Sequence, residues 1–124
     1  MDTQKNSVLI VDDEVVNIIA LAHMLSQDYI IFIEKSGQDC METAKSLKPD
    51  VILLDVMMPK ISGFEVIKLL KEDTDTQNIP VIFLTGLDNE NDKAIGLSLG
   101  AANYIYKPFR EDDIKFHIQN LMHP

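Results

Sequence analysis

Five polar side chains in this chain each stand at the end of a short run rich in apolar residues. Asp12 and Asp13 follow Val8-Leu-Ile-Val11, Asp55 follows Val51-Ile-Leu-Leu54, Thr85 follows Val81-Ile-Phe-Leu84, and Lys107 follows Asn103-Tyr-Ile-Tyr106. Three carboxylates brought together would repel one another and raise at least one pKa, which suits them to a hard divalent cation. Mg²⁺ is the natural occupant, since it takes oxygen ligands and is held by one or two carboxylates plus a phosphate oxygen. Lys107 would supply a point charge for a phosphate oxygen that the metal does not cover. Thr85 offers a hydroxyl donor, and Gly86 an N–H that no side chain shields. Such parts around a carboxylate stabilise a transferring phosphoryl group, with Asp55 as nucleophile and an aspartyl phosphate as product. Taken singly, each residue has a plainer reading: Asp55 as a turn former, Asp12 to Glu14 as helix-capping acids, Lys107 as a solvated charge. Whether they converge depends on the elements that carry them.

Val8–Val11 and Val51–Leu54 are wholly apolar with no alternation, the habit of strands buried on both faces of a parallel sheet. Tyr29–Ile33, Val81–Leu84 and Asn103–Tyr106 supply three more strands, rich in β-branched and aromatic residues. Between them the apolar residues recur at helical spacing: Ile18, Leu21, Ala22 and Leu25; then Cys40, Met41, Ala44 and Leu47, stopped by Pro49; then Val66, Ile67, Leu69 and Leu70, opened by Gly63. A fourth helix spans roughly Asn89 to Leu99, with Ala94, Ile95, Leu97 and Ser98 interleaved with Asp92 and Lys93; Gly96 is a poor helix former inside it. A fifth runs from Glu111 to Met122 with Ile114, Ile118 and Leu121 inward. Five strands alternating with five helices imply an α/β doubly wound parallel sheet with right-handed crossovers and helices on both faces. All five polar residues then fall at one sheet edge, outside the carboxyl ends of the strands, where ligands bind in such folds. The residues His23, His117 and His123 lie on helices or at the tail and read as surface or structural groups.

The bulk numbers narrow the classes. A chain of 124 residues, 46% hydrophobic and 25% charged, fits one self-folding domain. Eleven basic against twenty acidic residues leave a net charge of -9, which disfavours direct nucleic-acid binding and favours a cation or a basic partner. The single cysteine, Cys40, allows no internal disulfide and no multi-cysteine zinc site, and it reads as a small core residue. The N-terminus lacks the arrangement of a signal peptide, and no apolar run approaches the ~20 residues that span a bilayer. A reducing cytoplasmic setting with no membrane contact of its own is expected.

The motifs stand as Val11-Asp12-Asp13-Glu14, Leu54-Asp55-Val-Met-Met-Pro59, Gly63-Phe64-Glu65, Leu84-Thr85-Gly86, Gly100-Ala101-Ala102-Asn-Tyr104 and Lys107-Pro108-Phe109. Together they resemble the receiver domain of the two-component response-regulator family. The resemblance covers essentially everything from Val8 to Met122, so 1–124 reads as a single receiver domain with its core at 8–122. It implies the flavodoxin-like (βα)5 sheet with strand order 2-1-3-4-5, which the pattern alone does not fix. It implies that Asp55 accepts a phosphoryl group from a phosphohistidine of a sensor histidine kinase or phosphotransfer protein. Asp13, Asp55 and the Met57 carbonyl would bind Mg²⁺ directly, with Asp12 helping through water, and Val56, Thr85, Gly86 and Lys107 would bind the phosphate. Asp55, Thr85 and Lys107 would catalyse the domain's own phosphorylation and dephosphorylation, as a signalling switch rather than a turnover enzyme. The Lys107-Pro108 bond is expected to be cis. Thr85 and Tyr104 would form the switch: Thr85 turns toward the phosphate, Tyr104 moves inward, and the face of helix four, strand five and helix five changes. That face would control a downstream protein, a fused output domain or a phosphorylation-dependent dimer.

Three competitors fit less well. A phosphatase of the haloacid-dehalogenase type needs Asp-x-Asp, and Met57 stands two after Asp55. A flavodoxin-like electron carrier would need its phosphate loop where Asp12-Asp13-Glu14 repels one. A docking-only pseudo-receiver would not need the full set of Asp12, Asp13, Asp55, Thr85 and Lys107. By the family comparison, Met57 and Leu87 are apolar at variable positions beside the path of the attacking water, so slow self-dephosphorylation is expected. Tyr106 shares a side of its strand with Tyr104 and reads as partial cover for an apolar helix rather than as a partner contact. No output module follows Met122; a stand-alone receiver and a piece of a longer chain both remain open.

Overall fold

Unalternated apolar runs can be buried only where both faces of a sheet are covered, and that is how this chain folds. The computed structural model describes residues 5–86 and 89–122. The elements run β1 (Ser7–Val11), α1 (Val15–Leu25), β2 (Ile30–Glu34), α2 (Gly37–Leu47), β3 (Val51–Leu54), α3 (Gly63–Glu72), β4 (Val81–Thr85), α4 (Glu90–Ser98), β5 (Asn103–Tyr106) and α5 (Glu111–Met122). The strands pair in parallel in the order β2-β1-β3-β4-β5, the flavodoxin-like arrangement that the resemblance implies.

Successive residues of the central strands feed two cores. Leu9, Val11, Ile52, Leu54, Val81 and Phe83 pack with α2 and α3 on one face. Val8, Ile10, Val51, Leu53, Ile82 and Leu84 pack with α1 and α5 on the other. Every residue of β3 and β4 is buried, which is why these runs carry no polar alternation. Cys40 is buried in the first of these cores, where burial and then the nearby Glu34 charge push its thiol up to about 12. Among the described residues no helix is long and apolar enough to cross a membrane.

The structure corrects several expected details. The second strand begins at Ile30 rather than Tyr29, because the Tyr29 N–H closes on the Leu25 carbonyl at the end of α1 while the Ile30 N–H starts the ladder on Asn6. β1 gains Ser7, which pairs with Ile30, and β4 gains Thr85, which pairs with Tyr106. Leu47 is 51% exposed rather than inward: it is the last residue of α2, and Lys48 turns the chain away with a positive φ of 47°. Leu69 is also exposed, lying about 100° from the centre of the stripe that Val66, Ile67 and Leu70 already fill. In α4 the interleaved Ile95 and Leu97 face outward, and the residue the helix buries is Gly96.

Candidate functional site

The parallel ladder runs past the strand ends into the acidic edge. The Asp12 N–H donates to the Glu34 carbonyl at 3.2 Å, the Asp55 N–H to the Val11 carbonyl at 3.0 Å, and the Lys107 N–H to the Thr85 carbonyl at 2.8 Å. Each residue thus leaves its strand with its backbone still tied to the neighbouring strand. Behind Asp55 the chain is held more tightly still. A Cβ on Gly63 would stand 2.3 Å from the Asp55 carbonyl oxygen and 2.9 Å from the Val56 Cα, so only glycine lets α3 start this close to β3. The Gly63 N–H donates to the Val56 carbonyl at 2.8 Å. A capping box fixes the helix start: Ser62 Oγ accepts from the Glu65 N–H and Glu65 Oε1 from the Ser62 N–H. The Lys107–Pro108 peptide is cis.

This scaffold brings one carboxylate oxygen each of Asp12, Asp13 and Asp55 within 4.8 Å of one another. Lys107 Nζ donates to Asp12 Oδ2 at 3.0 Å and to Asp55 Oδ2 at 3.3 Å. The other Asp55 oxygen accepts the Met57 N–H at 3.3 Å, and Asp12 Oδ1 accepts the Glu14 N–H at 2.9 Å. Asp12 and Asp55 are buried and Asp13 is more open. Helix capping does not account for these acids: Glu14 occupies the N-cap position of α1 without a side-chain cap, and Asp12 bonds the chain before the helix begins.

Burial pushes the Asp55 carboxyl up; Lys107 pulls it back, Asp12 raises it again, and the balance lies above the ordinary aspartate value. Burial pulls the Lys107 ammonium down, but its hydrogen bond to Asp12 and the charges of Asp55 and Asp12 outweigh that, so it lies above the ordinary lysine value. Both groups hold their protons more firmly than usual. One ammonium does not balance the buried acids, and a divalent cation coordinated by the Asp12, Asp13 and Asp55 oxygens would relieve the surplus charge. The donor set therefore fits a hard oxygen-seeking metal.

Thr85 is buried at the exit of β4, and Gly86 follows with nothing within 4 Å of where a Cβ would stand. Val56 is buried, whereas Met57 is 63% exposed. Leu87 and His123 lie outside the described residues. His23 is exposed on α1, and His117 Nδ1 is 2.8 Å from Asn103 Nδ2, a structural role. Tyr104 is only 3% exposed, with its ring 5.8 Å from Phe83 and 5.7 Å from Tyr106. Burial and then Asp92 push its phenol up to about 12. Tyr106 is half-buried, with its hydroxyl 3.5 Å from Glu90 and its ring 5.9 Å from the Lys93 ammonium, so the side chains of α4 that it meets at these distances are charged ones. Reading the sequence missed two contributors. Glu14 lies 4.0 Å from Lys107 at an exposed position, where an ion pair is worth little. Gly63 is the other; its eight-residue distance from Asp55 in the chain carries no signal of contact.

A five-stranded parallel sheet of this order with three acids and a lysine at its carboxyl edge defines a class. The family model described as the response regulator receiver domain matches residues 8–119, and the chain belongs to that family. Over 123 residues it is 39% identical to a protein named Probable cyclic di-GMP phosphodiesterase from Vibrio cholerae; the match covers 96% of this chain and 28% of that protein. Protein PilH of Pseudomonas aeruginosa is 37% identical over 108 residues, covering 86% of this chain and 89% of PilH. The solved structure of the chemotaxis protein CheY4 of Vibrio cholerae superposes with a TM-score of 0.89 at 27% identity, covering 95% of this chain and 99% of CheY4. Against the first of these relatives, the chain spans less than a third of the length.

Proposed function

We propose that this chain acts as one phosphoacceptor receiver unit over residues 1–124, with its core at 8–122, in a cytoplasmic two-component or phosphorelay pathway. The observation that carries the reading is the meeting of Asp12, Asp13 and Asp55 oxygens within 4.8 Å of one another, with Lys107 on two of those carboxylates. An Asp55 oxygen attacks the phosphorus of a phosphohistidine on a sensor kinase or phosphotransfer protein. A P–O bond forms, the P–N bond breaks, and its electron pair stays on the imidazole. Asp12, Asp13, Asp55 and the Met57 carbonyl would hold Mg²⁺, which when bound supplies positive charge against the carboxylates and the phosphoryl oxygens. Lys107 moves from carboxylate to phosphate oxygen, and Val56, Thr85 and Gly86 donate to the others. Thr85 and Tyr104 pass the change to the surface of α4, β5 and α5. That surface acts on a separate protein, a fused output domain or a second copy; relatives of which this chain spans 28% and 89% support both the joined and the separate arrangement.

The test is acetyl phosphate or beryllofluoride with Mg²⁺, read by mass spectrometry and NMR. Modification at Asp55 that needs Mg²⁺ and vanishes in Asp55→Asn is expected; a change that survives Asp55→Asn overturns the reading. The exposed Met57, two residues after Asp55, offers no polar group to guide an attacking water, so slow loss of the phosphoryl group is expected. Met57→Asn should speed it, and an unchanged rate would remove that part.

A further inference from the structure

Gly96 stands where α4 touches the sheet. The helix buries this residue while Ile95 and Leu97 stay exposed. A Cβ there would lie 2.9 Å from Tyr104 Cδ2, 3.2 Å from Tyr104 Cε2 and 3.2 Å from Phe83 Cδ2. Those are ring atoms, not the tip of a flexible chain, and the Tyr104 ring is wedged between Phe83 and Tyr106. A side chain at 96 must therefore lift the helix or turn the tyrosine out. From these contacts we infer that Gly96 is a positioning residue for Tyr104: its missing side chain gives the ring its buried place under α4 and thereby tunes how readily Asp55 chemistry is coupled to that helix. The coupling half rests on the proposed Asp55 switch.

By linkage, a substitution that disfavours the inner tyrosine weakens whatever ligand at Asp55 favours it, by the factor by which the inner population falls. Gly96→Ala suits the test because alanine is the better helix former and Gly96 is the one buried residue of α4, so the variant should fold. Two measurements decide. The first is acetylation of tyrosine hydroxyls by N-acetylimidazole, quantified residue by residue by mass spectrometry. Tyr104 labelling should rise several-fold in Gly96→Ala, while the buried Tyr29 stays protected. The second is affinity for beryllofluoride with Mg²⁺, which should fall about five-fold or more. In a Tyr104→Ala background, where the tyrosine ring is gone and only the looser Phe83 contact at 3.2 Å remains, adding Gly96→Ala should move that affinity by less than about two-fold. Unchanged Tyr104 labelling, an unmoved affinity, or the same fall without the Tyr104 ring would each overturn the proposal. Failure of the wild-type protein to bind beryllofluoride would count against the Asp55 reading alone, and the labelling result would then decide for or against Gly96.

Discussion

α3 and α4 cover the same face of the sheet, and they are attached to it in different ways. α3 buries Gly63, Val66, Ile67 and Leu70, starts in a capping box, and ends with the buried Thr76 hydroxyl donating to the Leu70 carbonyl at 2.7 Å. Its first residue presses on the Asp55 carbonyl. α4 has the Asn89 side chain as its N-cap, buries Gly96, and leans on Tyr104 and Tyr106. The carboxylate proposed to react is thus built against the firmly packed helix. The helix proposed to report that reaction sits on two tyrosines of an edge strand, where little apolar area resists a shift.

That contrast can be broken most directly with two matched substitutions. Gly63→Ala drives a methyl into backbone and should cost about 3 kcal/mol or more in urea unfolding. Gly96→Ala should stay within about 1 kcal/mol, since the gain in helix propensity offsets the displaced ring. Similar costs at the two sites would mean α4 is held as rigidly as α3. Next in size, Lys107→Ala removes the cation from two buried carboxylates. A loss of about 2 kcal/mol at neutral pH is expected, less than for a sealed ion pair because Lys107 keeps some contact with water. Amide exchange in α4 should be unaffected by it.

Ser62→Ala and Asn89→Ala sharpen the comparison at the helix starts. The first should lower global stability by about 1 kcal/mol, whereas the second should leave the melting temperature alone and speed hydrogen exchange within α4. The gentlest test concerns Asp55 itself. Its carboxyl holds a proton more firmly folded than unfolded, so the native state binds more protons in that window and loses stability as pH rises through the folded titration. Without Mg²⁺, Asp55→Asn should therefore melt higher than wild type at pH 7, and the difference should fade on going down toward about pH 4. A gain that does not depend on pH would point to packing instead of charge.

The strand runs and the chemistry at their ends were readable because each depends on local order: a buried parallel strand must be apolar throughout, Asp12 and Asp55 follow two such strands directly, and Lys107 follows the partly buried edge strand β5. Periodicity could not say how far a buried stripe extends, which is why Leu47 and Leu69 read as inward. Gly96 read as a weakness in a helix, because the reason for it lies on another element, in the ring of Tyr104. Gly63 read as a helix start for the same reason. Which strands are neighbours came from family resemblance, since nothing in the apolar pattern distinguishes one parallel order from another.

Cys40 has a practical corollary. It is the sole thiol of the chain, and its burial, with the thiol held at about 12, leaves almost no thiolate near neutrality. Maleimides and methanethiosulfonates should pass the native protein by. A cysteine placed on the outer side of α4, at Ser98 for instance, would then be the one handle for a spin label or fluorophore. The wild-type chain is its own dark background for watching that helix move.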